Sequence, residues 1–187
     1  MSGRLVLLIL AIASAGAVGS DVESFSDRDA AVFTLALADF DRSRESHDFS
    51  PPGFVAVPSE SKPLQANIAR PSDISAAAEL RTPAPLATLE NYLQRNRVRF
   101  RVRLSASAPA SLHLVAINGP SCAPSISRAP GVRTCAYPRA PGFSADGEWA
   151  FVGFDFLWSI HSGTAAYLLR KSAGVWTVVD KNFAIYL

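Results

Sequence analysis

The 187-residue chain predicts an α+β fold, an N-terminal helix and shorter helices packed on a curved antiparallel sheet of about five to seven strands. Three observations predict it. Ala30, Phe33, Leu37 and Phe40 recur at helical spacing near the start of the chain. Strict alternation marks Arg95 to Leu104, where Arg95, Arg97, Arg99, Arg101 and Arg103 hold the odd positions and Val98, Phe100, Val102 and Leu104 even ones. A helix would smear that pattern around its circumference; a strand puts the arginines on one face and the apolar side chains on the other. From there onward, apolar runs alternate with turn residues, as in an antiparallel meander.

Taken in chain order, residues 1–19 read as a signal peptide. Arg4 supplies the positive start, Leu5 to Ala13 the apolar core, and Ala13-Ser14-Ala15 and Ala15-Gly16-Ala17 the small residues a signal peptidase needs. The uncharged run to Gly19 falls short of the roughly 18 residues that span a bilayer, and no later segment reaches that length. The expected location is therefore periplasmic or secreted. Residues 20–187 are expected to form a single α+β domain, long enough to bury a real core.

Ser26 is a natural N-cap with Asp29 as its capping-box partner, and Asp27 favours the positive helix end. Leu35 and Ala36 widen the apolar stripe, and the helix is expected to run to about Arg44. His47 to Pro52 ends it, because paired prolines cannot continue a helix. Phe54 to Val57 is a short strand and Ser59 to Pro63 a polar linker. Asp73 to Leu80 and Leu86 to Gln94 form two short helices separated by Thr82-Pro83-Ala84-Pro85.

The arginine strand is followed by a strand from Ser111 to Ile117 and a turn at Asn118-Gly119. Ser144 to Gly147 marks another turn. Trp149 to Ile160 then reads as one long buried strand, followed by strands at Thr164 to Arg170, Val175 to Val179 and Phe183 to Leu187. The predicted core contains Phe33, Leu37, Phe40, Val98, Phe100, Val102, Trp158, Tyr167 and Trp176.

Cys122 and Cys135 are the only two cysteines, and they flank a loop rich in Pro, Gly and Ser. In an oxidising compartment they are expected to form a structural disulfide. Closing a loop of this length contributes about 3 kcal/mol in the chain-entropy account. Their spacing excludes the two-residue separation of thioredoxin-like and zinc-knuckle pairs. Charge is divided along the chain. Asp21 to Glu90 holds twelve acids against six bases, whereas Asn91 to Ala145 holds eight arginines and no acid.

Little in the sequence carries recognisable catalytic chemistry. His47, His113 and His161 stand apart, so no paired metal ligands are visible and neither a metal nor a cofactor is expected. Phosphate-binding glycine loops are absent. The one dense polar cluster is Asp155, Ser159, His161 and Ser162. On one extended strand Asp155, Ser159 and His161 would share a face, with adjacent same-face residues about 7 Å apart. Serine–histidine proton transfer needs roughly 3 Å, so a bend or another segment would have to intervene.

Phe143 to Phe151, built around Asp146-Gly147, resembles the turn of TolB-type propeller blades, but a single copy builds no propeller. Tyr167-Leu168-Leu169-Arg170, Gly174 and Trp176 resemble the closing hairpin of small exported, mostly uncharacterised bacterial proteins and of NTF2-like or cystatin-like curved sheets. That likeness covers about residues 137–187. It implies a helix on a curved sheet and no particular activity, since that architecture hosts enzymes, inhibitors and binding modules alike.

The arginine face admits three structural explanations: a solvated outer surface, ion pairs with the acidic half, or a charged edge. The functional explanation is that Arg97, Arg99, Arg101 and Arg103 bind an acidic protein or an anionic envelope component. Nucleic acid is a poorer fit, because the face carries no aromatic stacking platform. The first expectation is thus an exported, non-catalytic binding module for a protein or anionic ligand. The second is a small hydrolase-type enzyme using His161 with Asp155 or Ser159.

Overall fold

A computed structural model describes residues 22–45, 53–65, 67–117, 122, 130–158 and 161–186. The predicted signal peptide and His47 lie outside these residues. Ser26 and Asp29 form the predicted capping box. The Ser26 amide and hydroxyl donate to Asp29 at 2.8 and 2.7 Å, and the Asp29 amide donates back to Ser26 Oγ at 3.2 Å. Helix α1 then runs over Asp27–Glu45. Its stripe of Val32, Phe33, Ala36, Leu37 and Phe40 is fully buried.

The chain continues through β1 (Glu23–Ser24, ahead of α1), β2 (Phe54–Pro58), α2 (Ser75–Ala78), α3 (Leu86–Arg95), β3 (Phe100–Arg101) and β4 (Leu112–Val115). It ends with β5 (Val132–Tyr137), β6 (Gly142–Phe143), β7 (Trp149–Trp158), β8 (His161–Ser172) and β9 (Val175–Tyr186). Among the described residues seven strands form one sheet in the order β4-β2-β5-β7-β8-β9, with β6 also paired to β7. The fold is the predicted α+β class. The sheet is mixed: β2 runs parallel to both β4 and β5, while the pairings from β5 through β9 are antiparallel.

Alternation along β7 and β8 makes the sheet the middle of three layers. Ala150, Val152, Phe154 and Phe156, with Ala165, Tyr167 and Leu169, pack into the cluster under α1. Phe40 meets Phe154 and Phe156 with ring centroids 5.2 and 4.9 Å apart. The intervening residues Phe151, Ala166 and Leu168 face α2 and α3, where Tyr92 meets Phe151 edge-on at 4.9 Å. Close approach of α3 depends on Gly142 and Gly153. A Cβ on the first would stand 2.4 Å from the Thr88 carbonyl oxygen, and on the second 2.6 Å from the Tyr92 hydroxyl.

The arginine segment departs from expectation over its first half. Arg95 is the last residue of α3, and Arg97 and Val98 continue the turn, their amides directed at the carbonyls of Gln94 and Arg95. Two tertiary anchors hold that helix end. The Arg95 guanidinium binds Asp29 and the Pro141 carbonyl, and the Asn96 side chain both donates to and accepts from the Ala140 backbone. Val98, expected in the core, is 38% exposed as a result.

Alternation does hold from Arg99 to Arg103: Phe100 and Val102 are buried while Arg99, Arg101 and Arg103 are exposed. This ribbon lies outside the main sheet. It pairs in parallel with β1 on one edge, and on the other exchanges hydrogen bonds with Ser59 and Ser61.

A second correction concerns the predicted long strand. β7 ends at Trp158 and β8 begins at His161, with Trp158 and His161 paired in register, so the chain reverses between them. Asp155 and His161 therefore lie on different strands of a hairpin. Thr164, and not His161, is the residue opposite Asp155. Trp176, another predicted core residue, is only partly buried against the α1-side cluster, and the Trp158 side chain falls outside the description.

Candidate functional site

The described arginines of the acid-free segment from Asn91 to Ala145 fall into two groups. Arg95, Arg133 and Arg139 reach carboxylates inside or at the edge of the fold. Arg95 grips Asp29 with two bonds of 2.6 and 3.0 Å, Arg133 pairs with Asp41 where both side chains are buried, and Arg139 meets Asp155 at 2.6 Å. Burial alone would raise the Asp29 carboxyl. The bonds from Arg95, the Ser26 hydroxyl and the Ser26 amide outweigh it and hold the carboxyl below its ordinary value.

Arg97, Arg99 and Arg101 form the other group. They are exposed, and among the described residues no carboxylate lies within ion-pairing distance of them. Arg103 pairs with Asp27 at 3.2 Å, but both side chains are more than half exposed, so the contact contributes about 0–1 kcal/mol. The ribbon's backbone is held on both edges, and Phe100 anchors it by packing its ring 6.0 Å from that of Phe25. The Arg99 and Arg101 side chains thus project from a fixed support.

Next to the ribbon lies a cleft of about 370 Å³. The segment from Pro58 to Pro63 separates the two: Glu60 stands opposite Arg101 in an isolated antiparallel bridge, and Glu60, Lys62 and Pro63 line the cleft. Tyr137, Arg139 and Asp155 form the facing wall. Asp155 also accepts from the Thr164 hydroxyl at 3.1 Å, and Arg139 donates to the Lys62 carbonyl at 3.3 Å, so the central ion pair is locked between strands. A smaller hollow of about 220 Å³ shares Tyr137 and Asp155 as its wall and extends past Leu157 to Ser162 and Thr164.

Cys122 and Cys135 form the predicted disulfide, with Cα atoms 5.5 Å apart. The bridge bears on the cleft, because the Tyr137 hydroxyl donates to the Cys122 carbonyl at 3.1 Å. Tyr92, beneath Gly153, has its phenol raised far above the ordinary value, first by burial; the Arg139 charge opposes the rise and the Asp155 charge adds to it. It is a neutral packing group at any physiological pH.

The predicted catalytic set does not assemble as drawn. Asp155 is engaged by Arg139 and Thr164, and His161 stands three register steps farther along the hairpin, about 10 Å away along the ladder. Ser159 lies outside the described residues. His113 is exposed and stacks on Phe54 with its Nε2 near the Ala110 carbonyl. Among the described residues no three His, Cys, Asp or Glu side chains cluster as metal ligands.

Glu60, Lys62, Tyr137 and Arg139, which shape the cleft, carry no local sequence signal. Only the acid-free charge of the Arg95–Arg139 region hinted at their neighbourhood. No described helix is long and apolar enough to cross a membrane. Neither a protein family, nor a curated protein, nor a solved structure matches the chain.

Proposed function

We propose that this protein is an exported, non-catalytic binding module whose anionic partner docks on the Arg97–Arg103 face. The carrying observation is the division among its arginines. Arg95, Arg133 and Arg139 are each matched to a carboxylate, whereas Arg97, on the turn after α3, and Arg99 and Arg101, on a ribbon held from both sides, stand exposed with no carboxylate in ion-pairing distance among the described residues. Exposed cations grouped on a held backbone create a local positive potential that speeds and orients encounter with an acidic surface. The disulfide fits a periplasmic or secreted location, where such bonds persist.

The test is the double reversal Arg99→Glu with Arg101→Glu, titrated against fluorescein-labelled poly-L-glutamate, a stand-in for an acidic protein surface. Affinity should fall by about tenfold or more, and the residual binding should depend less on salt. Melting temperature should move by no more than about 4 °C, because neither side chain has a carboxylate in ion-pairing distance among the described residues and the one new like-charge pair, Arg101→Glu opposite Glu60, costs about 1 kcal/mol or less. Unchanged binding, or a loss that merely tracks unfolding, would overturn the proposal.

A further inference from the structure

The cleft beside the ribbon narrows what kind of anionic partner the face accepts; this step rests on the docking role of Arg99 and Arg101 just described. Glu60 is directly opposite Arg101, and bridge partners project their side chains to the same side of the backbone. The ribbon and the cleft are therefore one continuous surface, joined through the segment Pro58 to Pro63.

Across that surface Lys62, Arg99, Arg101 and Arg139 face two carboxylates, Glu60 and Asp155. Arg139 neutralises Asp155, and Arg101 stands beside Glu60. Four cations against two carboxylates leave the combined surface net positive. The lining also has a different character, for Pro58, Ile117, Tyr137 and Pro138 supply apolar and aromatic surface. The second hollow adjoins the first at Tyr137 and Asp155.

A partly apolar cleft adjoining an exposed cationic ribbon matches a peptide chain better than a compact ion or a uniformly charged polymer. We infer that the partner is a protein presenting an extended acidic peptide, with one apolar side chain seated in the Tyr137 cleft and flanking carboxylates on Lys62, Arg99 and Arg101. Peptides bound this way draw affinity from charge and selectivity from the anchored side chain. The Tyr137–Cys122 hydrogen bond gives the disulfide a place in the mechanism: it braces the aromatic wall against which the anchor packs.

Short fluorescein-labelled peptides test this directly. Each carries glutamates on both sides of a central glycine, leucine, phenylalanine or proline, and binding is read by fluorescence anisotropy. The full chain should bind at least one apolar-centred peptide about tenfold or more tighter than the glycine-centred one, the increment expected from burying one side chain. Gln65→Trp, a change at an exposed position on the cleft lining, should erase that difference and leave the glycine-centred peptide unaffected. Arg99→Glu with Arg101→Glu should weaken all four peptides together. Equal affinity for glycine and apolar centres overturns the anchored peptide while leaving the arginine face as a simple polyanion surface. Tight binding of heparin with no binding of any peptide overturns it in favour of a polysaccharide partner. Failure of every acidic probe sinks both readings.

Discussion

Replacing Arg95 by methionine tests whether the matched arginines are structural. Methionine keeps much of the apolar stem but removes two bonds to Asp29, a bond to the Pro141 carbonyl, and a guanidinium packed 5.1 Å from the Phe100 ring centre. Removing one partner of a buried ion pair costs about 3–5 kcal/mol, because the survivor stays buried and uncompensated. Asp29 fits that description, with its side chain 3% exposed; Arg95 is 22% exposed, so water softens the loss. The expected cost is about 3 kcal/mol, which in a chain of this size lowers the melting temperature by about 6–12 °C.

Urea unfolding followed by tryptophan fluorescence measures it, with Arg99→Met as the control, expected within about 0.5 kcal/mol of the parent. The pH dependence supplies a second readout. Asp29 has a folded-state value below its unfolded value near 3.8. Its stabilisation is thus complete above 3.8 and is lost as the pH falls through the folded value. The gap between parent and Arg95→Met should therefore be widest near neutrality and shrink in acid. A methionine variant within about 1 kcal/mol of the parent, or an Arg99→Met variant that loses as much, would refute the division between matched and unmatched arginines.

Two further substitutions probe the packing that positions the cleft. Gly142→Ala would drive a Cβ to 2.4 Å from the Thr88 carbonyl oxygen and 2.5 Å from the Tyr92 nitrogen, atoms of a helix backbone that cannot rotate away. It should cost about 3 kcal/mol or more, at the upper end of overpacking, and differential scanning calorimetry would read it directly. Thr134→Val should do the reverse. The Thr134 hydroxyl is fully buried on β5 with no hydrogen-bond partner among the described residues, so an apolar branched side chain of similar shape should gain about 1 kcal/mol by urea midpoint, and a loss would mean that the hydroxyl is satisfied.

Elements specified by local chemistry were legible in the sequence. The capping box at Ser26 and Asp29, the buried stripe of α1, the disulfide and the turn at Gly174 all rest on contacts between near neighbours or on dihedral preference, and the structure has each of them. Alternation likewise placed Phe100 and Val102 inside. The hairpin reversal between Trp158 and His161 comes a few residues earlier than the break expected between Ile160 and Thr164, because Trp149 to Ser162 contains no proline and only one glycine, Gly153, which marks close contact with Tyr92 instead of a turn. The cleft was hidden for a different reason. Its walls come from the linker after β2, the end of β5 and the middle of β7, and only the sheet order brings these together.

Arg95 and Arg99 show why a regular pattern of charge cannot by itself assign a role. Both sit on the same alternating stretch, yet one ends a helix inside the fold and the other faces water. What separates them is an acceptor supplied by a distant segment: Asp29 is 66 positions from Arg95, as Asp41 is 92 from Arg133. The acidic N-terminal half therefore neutralises the basic segment selectively. Arg95, Arg103 and Arg133 take Asp27, Asp29 and Asp41 between them, and Arg139 takes Asp155. Of the described arginines in that segment, Arg97, Arg99 and Arg101 are left without a carboxylate partner, and Arg99 and Arg101 stand on the ribbon beside a cleft whose own ion pair is already closed. A folded chain that satisfies its interior cations with its own acids, and leaves an exposed run of cations on a doubly anchored ribbon, holds its unneutralised charge where a partner can reach it.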